Sequence, residues 1–253
     1  LVGVESQPWS FAKAVVGGRG FLEFAESALS RLDTGISRLT EEEVGLDILP
    51  KELKMREAVD TLSEREVLTV VMNQAPGDYN FEMITVRYVG GTPRAYRLGT
   101  VHAGPNGTEQ RFILAMESSG TKRLMGLLPM LFDLTERGGG VGSKVLIVDE
   151  LDRCLHTMLT FRLIEDFLLC CDADTRKQML FTTHDLLLMD QSLMRRDEMF
   201  ITQRGTDGCS ELVGLAEYNG IRFDRDLIRS YLDGRFGGIP MLGRAAINDQ
   251  ENQ

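Results

Sequence analysis

Residues 145–156 read VLIVDELDRCLH, and this stretch decides the fold. Four apolar residues lead directly into Asp149 and Glu150. An apolar run without alternation is typical of a parallel strand that is covered on both faces. Two acids at the end of such a strand are unusual, because an unpaired buried carboxylate is costly to desolvate. The stretch alone allows a metal site, an acid–base site or a simple cap on the next helix.

The composition is that of an ordinary globular protein. The chain has 253 residues, of which 43% are hydrophobic and 26% are charged. Its net charge of −10 argues against a nucleic-acid footprint over the whole surface, although a local basic patch stays open. No apolar run approaches the roughly 20 residues of a membrane helix, and no secretory signal opens the chain. We therefore expect a cytoplasmic protein with no membrane partner.

The four cysteines predict free thiols rather than a metal site. None of Cys154, Cys170, Cys171 and Cys209 forms a C-x-x-C pair. Zinc held by Cys154 with His156 is an alternative. Buried free thiols in a reducing compartment are the favoured interpretation, since two of the cysteines lie in the apolar run FLLCC.

Hydrophobic periodicity divides the chain into four predicted segments. A helical segment opens the chain, and its clearest part, GFLEFAESALSRLD, has apolar residues at helical spacing. An antiparallel β-meander follows, with strand-like runs separated by QAPGDYN and GGTP. An α/β core and a polar tail complete the chain. The predicted ranges are 1–65, 66–116, 117–245 and 246–253.

Within the predicted α/β core, helices alternate with strands. A Leu-rich helix begins near Gly120 and contains Pro129, which predicts a kink or the loss of one hydrogen bond. The expected strands cover 145–149, 178–182 and 211–215. The expected helices cover 156–171, 185–195 and 224–233.

Two glycine-rich stretches lack the features of a phosphate loop. VVGGRGFLE at 15–23 does not fit G-x-G-x-x-G, and we interpret it as a helix entry. GGGVGSK at 138–144 precedes a strand, whereas a phosphate loop precedes the helix whose N-terminus receives the anion. The sequence contains no Gly-Lys dipeptide and therefore no G-x-x-x-x-G-K-[ST] motif.

Three candidate catalytic residues follow two strands of one predicted β-α-β unit. Such a crossover is parallel, so the carboxyl ends of both strands lie at the same sheet edge. This order brings Asp149 and Glu150 close to His184. Asp149 is then a candidate Mg²⁺ ligand, Glu150 a group that orients or deprotonates water, and His184 a contact to a transferred phosphoryl group. The alternative is that Asp149 or Asp152 caps the following helix and that His184 begins the next one.

The stretch ESSGTKR at 117–123 is a candidate anion-binding helix start. Its small and hydroxyl residues let backbone N–H groups approach an anion, which the helix dipole also favours. These residues are Ser118, Ser119, Gly120 and Thr121. Lys122 and Arg123 add positive charge. An ordinary Ser/Thr helix cap is the alternative for this stretch taken alone.

In this order, ESSGTKRL, VLIVDELDRCLH and LFTTHD resemble the signature motif, the Walker B motif with its D-loop, and the H-loop of ABC-type ATPase heads. The resemblance is to stand-alone bacterial ATPases related to SMC, RecF and overcoming-lysogenisation-defect proteins of abortive-infection and anti-phage modules. RLDTGI at 31–36 and DRDLIRSYLDGRFGGIP at 224–240 also fit that group. The resemblance covers about 28–240. It implies an ABC-ATPase-like α/β head with a parallel β-α-β core, an antiparallel β-meander and an N-terminal helical segment.

The resemblance also implies a site built around ATP and Mg²⁺ in a homodimer or higher oligomer of heads. Asp149 would position Mg²⁺, Glu150 would activate water and His184 would sense the γ-phosphate. Asp152 lies in the stretch that matches the D-loop, which couples the two sites. The signature residues would contact the γ-phosphate across the dimer, namely Ser118, Ser119, Gly120 and Thr121.

Two departures from the family pattern bear on this expectation. Glu117 and Thr121 stand where transporters carry leucine and glutamine, which suits the defence group and not a transporter. Walker A and the Q-loop glutamine are not found in this sequence. With Leu1 as its first residue, the chain most resembles the C-terminal part of such an ATPase, and we expect it to bind ATP poorly by itself.

The leading functional expectation is an ATPase that controls a partner effector, a nuclease or toxin, in antiviral defence. A DNA-maintenance head of the RecF or SMC kind is one alternative, and a non-hydrolysing regulatory scaffold is another. The sequence identifies neither the effector nor its trigger. His102 receives no catalytic role, although the meander that carries it leads into ESSGTKR and could transmit partner binding to that stretch.

Overall fold

The structure is a computed structural model in which two compact units, Leu1–His184 and Asp185–Gln253, can be distinguished. The boundary at 184/185 coincides with none of the predicted segment boundaries. The predicted tail at 246–253, the turn at 74–80 and most of the stretch 138–144 lie outside the described residues. Described are residues 2–4, 8–16, 19–63, 66–73, 81–134, 143–171, 176–205, 207–218 and 227–239.

The helices and strands follow one another in an α/β order. In the first unit they are β1 (Val2–Val4), α1 (Pro8–Val16), α2 (Arg19–Arg31), β2 (Ile36–Val44), α3 (Leu53–Asp60), β3 (Val67–Asn73), β4 (Phe81–Val89), β5 (Thr92–Ala103), β6 (Glu109–Ile113), α4 (Ser119–Leu134), β7 (Lys144–Val148), α5 (Thr157–Leu169) and β8 (Lys177–Phe181). In the second unit they are β9 (Phe200–Arg204), β10 (Ser210–Gly214) and α6 (Leu227–Leu232).

The parallel sheet has the order β1-β7-β8 and contains the predicted β-α-β unit. β7 and β8 pair in parallel from Lys144↔Lys177 to Val148↔Phe181, and α5 connects them. Both lysines also satisfy carbonyl groups at the C-terminal end of α4, since Lys144 Nζ donates to Asp133 O at 2.9 Å and Lys177 Nζ donates to Leu134 O. Cations at the C-terminal end of a helix interact favourably with the helix dipole. The α/β fold class is confirmed.

One face of the parallel sheet is covered and the other is exposed. Leu146 and Val148 are buried, and they line a small cavity together with residues of α4 and α5 such as Leu127 and Leu163. Val145 and Leu180 are 51% and 59% exposed. The expectation of a strand covered on both faces is therefore wrong, because both helices pack on one side.

Aromatic side chains join the N-terminal helices to α4. Phe21 of α2 contacts Phe11 of α1 and Phe132 of α4, with ring centroids 5.6 and 5.4 Å apart in edge-to-face geometry. Such pairs add to the energy of burying the rings. β2 lies within the opening segment that we expected to be mainly helical, so residues 36–44 differ from that expectation.

The antiparallel sheet has the order β2-β5-β4-β3, and β6 also pairs with β5. The strand-like runs of the meander are found as β3, β4 and β5. Leu49 and Val59 cover one face from a 3-10 turn and from α3, where they meet a cluster of strand residues that comprises Val70, Ile84, Val86 and Ala95. This sheet leads through β6 into α4.

The second unit contains a β-hairpin and a short helix. β9 and β10 pair antiparallel, and the core of the unit consists of Met199, Ile201, Leu215, Leu227 and Phe236. The helix expected at 185–195 is wrong, because that stretch contains the 3-10 turn Leu186–Leu188. Asp185 and Asp190 accept hydrogen bonds from the backbone N–H groups of Leu187 and Ser192, and such local bonds compete with helix formation.

None of the helices in the described parts of the chain is long and apolar enough to cross a membrane.

Candidate functional site

Asp149, Glu150 and His184 lie at the same edge of the parallel sheet, where the sequence predicts them. The acids follow the end of β7, and His184 follows the end of β8. Glu150 Oε1 lies 3.9 Å from His184 Nε2, and Glu150 Oε2 lies 3.6 Å from Arg153 Nη1. The side chains of Glu150 and His184 are 43% and 86% exposed, so water and ligands can reach both.

Thr182 connects the acidic pair to the neighbouring strand. Its hydroxyl donates to Asp149 Oδ1 and accepts a hydrogen bond from Glu150 N at 2.8 Å. Its own backbone N–H donates to Val148 O, and its carbonyl accepts from Leu151 N, both at 3.0 Å. Among the described residues, Asp149 Oδ2 has no hydrogen-bond partner. One carboxylate oxygen is thus held in place while the other is available to a ligand.

The backbone at the acidic pair has a rare conformation. Glu150 has φ of 48°, in the left-handed region that a side chain disfavours. Arg123 of α4 supports this turn, since its Nη2 donates to Asp149 O at 3.1 Å and to Glu150 O at 2.9 Å. Strained backbone persists where the surrounding structure holds it.

The candidate anion-binding stretch forms the first turn of α4. Ser118 caps the helix, because its Oγ accepts from Thr121 N at 3.1 Å and lies 2.9 Å from Thr121 Oγ1. The capping explanation therefore accounts for Ser118. Within the described residues, the hydroxyls of Ser118, Ser119 and Thr121 make no hydrogen bond to Asp149 or Glu150.

Gly120 instead contacts the segment that follows the acidic pair. A Cβ at this position would lie 2.7 Å from the carbonyl oxygen of Cys154, which is too close for any side chain. Cys154 itself has φ of 61°. The start of α4 and the segment that follows the acidic pair are therefore in direct contact within one chain.

The cations at the start of α4 do not add charge to an exposed anion site as the sequence suggests. Lys122 and Arg123 are only 6% and 3% exposed. Lys122 Nζ donates to Ala115 O at 2.7 Å, and Arg123 donates to the two carbonyls described above. Both side chains are directed inward, where Lys122 Nζ and Arg123 Nη2 donate to backbone carbonyls, while Arg123 Nε has no hydrogen-bond partner in the described structure.

Glu117, directly before the helix, is bound to the antiparallel sheet. Its side chain is 6% exposed, and its Oε1 accepts from Thr100 Oγ1 and lies 2.7 Å from His102 Nε2. Both partners belong to β5. The ring of His102 packs edge-to-face on Phe112 with centroids 4.9 Å apart. This contact physically joins the meander to the candidate anion-binding helix start.

Asp152 and His156 occupy the segment after the acidic pair. Asp152 Oδ1 is buried without a hydrogen-bond partner in the described structure. His156 caps α5 by accepting a hydrogen bond from Met158 N at 3.2 Å. Among the described residues no cluster of three or more His, Cys, Asp or Glu side chains could hold a metal ion, which leaves the zinc alternative at Cys154 and His156 without support.

The four cysteines form no disulfide, and none of them is buried. Cys154, Cys170 and Cys209 are exposed, and Cys171 is partly buried. The expectation of buried thiols is wrong for Cys170 because it follows the last turn of α5, beyond the side of that helix that packs on the sheet.

The sequence matches the family described as "AAA domain, putative AbiEii toxin, Type IV TA system" over residues 21–190, more than half of the chain. The chain belongs to this AAA-domain family. The matched region contains Asp149, Glu150 and His184, and it ends within the first residues of the second unit. Membership supports a nucleotide-binding ATPase of AAA/ABC type. No curated protein matches the chain.

The acidic edge of this AAA domain fits Mg²⁺ bound to a nucleotide. Mg²⁺ is commonly held by one or two carboxylates together with phosphate oxygens and water, so Asp149 with its available Oδ2 is a sufficient protein contribution. A phosphate-loop motif is not part of the 253-residue sequence.

Sequence reasoning missed Thr182 and the contact role of Arg123. Thr182 belongs to LFTTHD, so a hydroxyl at the end of the strand next to the acids was a usable signal. Arg123 lies four residues after Ser119 and therefore on the same face of the helix. Whether its side chain turns inward or outward depends on helix packing, which the sequence does not show. The sequence indicates only that the meander leads into ESSGTKR. It does not predict the side-chain contact of Glu117 with Thr100 and His102.

Proposed function

We propose that this protein is an ATPase head that resembles the SMC, RecF and overcoming-lysogenisation-defect group and acts as a dimer around ATP and Mg²⁺. The observation that carries the proposal is the meeting of Asp149, Glu150 and His184 at one sheet edge, next to the first turns of α4. Membership of the AAA-domain family supports the same chemistry.

Each residue at this edge has a specific role in the proposal. Mg–ATP, when bound, supplies the phosphoryl group that is transferred to water. Asp149 would be the residue that holds Mg²⁺, while Thr182 keeps its Oδ1 in place. Glu150 orients water and accepts its proton, since its exposed carboxylate is accessible to water. His184 donates a hydrogen bond to the phosphoryl oxygens.

The dimer gives the start of α4 its role. In this arrangement Ser118, Ser119, Gly120 and Thr121 of one subunit contact the phosphates held by the other, and Asp152 lies beside the second site. The family description, which names a toxin and a toxin–antitoxin system, supports a role in which ATP binding controls an effector in phage defence.

Substitution of Glu150 by Gln in the full-length protein tests the proposal. We expect ATP turnover to fall at least about 100-fold while ATP binding persists, because the amide keeps the shape of the side chain but accepts no proton. ATP-bound dimers should then accumulate, as measured by light scattering with Mg–ATP. The matched control is Glu165→Gln, an exposed carboxylate of α5 that pairs with Arg162 at 2.7 Å. Undiminished hydrolysis by Glu150→Gln would refute the proposed role of Glu150.

A further inference from the structure

Arg123 is a buried cation whose hydrogen bonds reach the backbone of the acidic pair. It is 3% exposed, and its Nη2 lies 3.1 Å from Asp149 O and 2.9 Å from Glu150 O. Its Nε is buried without a hydrogen-bond partner in the described structure. Burying a guanidinium that is only partly satisfied is costly, so this position disfavours arginine unless its contacts serve the site.

The two carbonyls that Arg123 binds belong to the most constrained turn of the site. Glu150 has φ of 48°, and rotating this residue back to an ordinary conformation would swing its side chain away from His184. Thr182 holds the amide side of the same turn through Glu150 N and Leu151 N. Arg123 holds the carbonyl side, so the turn is fixed from two elements.

Arg123 is also rigidly connected to the candidate anion-binding helix start. It lies one turn after Ser119 on α4, and Gly120 between them contacts the carbonyl oxygen of Cys154 without room for a Cβ. The first two turns of α4 therefore contact the segment 149–154 at two separate points. A shift at the start of the helix must be accompanied by a shift of the acidic turn or by the loss of these contacts.

We propose that Arg123 is a positioning residue that fixes the orientation of Glu150 and couples it to the start of α4. In the dimer, the start of α4 in one subunit contacts the nucleotide held by the other subunit. This contact thereby stabilises the acidic turn of the first subunit, and that turn acts on the second nucleotide of the dimer. The catalytic part of this inference rests on the proposed ATPase function.

Hydrogen exchange without nucleotide tests the positioning role independently of catalysis. In Arg123→Met, the amides of Glu150 and Leu151 should exchange at least about 10-fold faster, because loss of two hydrogen bonds to a charged donor makes local opening easier. The matched control is Lys122→Met, which removes the adjacent buried cation of the same helix, whose Nζ donates to Ala115 O instead. This control should leave exchange at Glu150 and Leu151 within about 2-fold of the parent.

Turnover by the same full-length variants tests the catalytic consequence. With Mg–ATP, Arg123→Met should lower kcat about 100-fold while KM changes less than about 3-fold, because a misplaced general base slows the reaction more than it weakens binding. Arg123→Lys, which keeps the charge on a shorter side chain without the rigid planar group, should give intermediate values for exchange and for kcat. It replaces the Met variant if circular dichroism shows that Arg123→Met is unfolded.

The outcomes separate this inference from the proposed function. Faster exchange at Glu150 and Leu151 together with a fall in kcat supports it. Unchanged exchange in Arg123→Met and Arg123→Lys overturns it, whatever the turnover. An increase of KM with unchanged kcat overturns it as well, because Arg123 would then serve binding. If the parent protein hydrolyses no ATP, the proposed function fails, and the exchange comparison still decides whether Arg123 holds the acidic turn.

Discussion

At the scale of single residues, Thr182 orients both members of the acidic pair, Asp149 and Glu150. Adjacent carboxylates repel each other, and each has several rotamers in open solvent. The Thr182 hydroxyl accepts from Glu150 N and donates to Asp149 Oδ1, so a single oxygen orients both residues. The arrangement leaves Asp149 Oδ2 and the Glu150 carboxylate exposed toward the sheet edge.

Replacing Thr182 by Val therefore weakens the metal side of the site without changing side-chain volume. We expect Thr182→Val to raise the Mg²⁺ concentration required for half-maximal ATP turnover about 10-fold, because second-layer hydrogen bonds typically contribute 10–100-fold to metal affinity. The measurement is a Mg²⁺ titration of ATP hydrolysis. Thr182→Ser keeps the hydroxyl and should behave as the parent does. Equal Mg²⁺ dependence of the Val and Ser variants would contradict this role.

At the scale of elements, α4 lies between the antiparallel sheet and the acidic turn. Glu117 binds β5 through Thr100 and His102 directly before the helix begins. Arg123 binds the turn after β7 one helical turn further along. Because both contacts involve a buried charged side chain, each is directional and costly to break. Movement of the sheet relative to the parallel core must therefore act on the start of α4.

Substitution of Glu117 by Leu tests this connection. The change leaves Thr100 and His102 without their shared acceptor, and we expect a loss of about 3 kcal/mol in the free energy of unfolding, as for other broken buried pairs. Urea denaturation of the full-length protein measures this loss. The control is Glu109→Leu, which removes an exposed ion pair with Arg38 on the same sheet and should cost less than about 1 kcal/mol. Similar losses of unfolding free energy for both variants would show that the buried Glu117 contact contributes no more to stability than an exposed ion pair.

The elements also show which features a sequence can predict. The convergence of Asp149, Glu150 and His184 follows from strand order alone, because parallel strands place their carboxyl ends at one edge. The inward direction of Lys122 and Arg123 does not follow from the sequence, since it depends on how α4 packs in three dimensions. The exposure of Val145 and Leu180 does not follow from the sequence either. An apolar run shows that a strand can be covered but not which elements cover it.

At the scale of the whole molecule, charge bears on the choice between partners. The net charge is −10, and arginines on the antiparallel sheet pair with glutamates, as in Arg87–Glu41 at 2.8 Å and Arg94–Glu43 at 2.7 Å. Hydrogen bonding to Glu41 raises the pKa of Arg87 above its ordinary value. Cations that are already paired release fewer counterions when they approach a nucleic-acid backbone. The paired arginines therefore argue against the antiparallel sheet as a DNA-binding surface.

Added DNA should accordingly leave ATP turnover unchanged. With full-length protein at low salt, we expect duplex and single-stranded DNA to change kcat and KM by less than about 2-fold, because phosphate contacts supply most non-specific DNA affinity and the paired arginines offer few of them. Heparin at the same charge concentration is the control for a general polyanion effect. A DNA-maintenance head should instead show several-fold stimulation by DNA but not by heparin, and this stimulation should decline steeply between 50 and 200 mM salt, roughly in proportion to the phosphates contacted. That result would favour the DNA-maintenance function while leaving the roles of Asp149 and Glu150 intact, since both functions require the same hydrolytic edge.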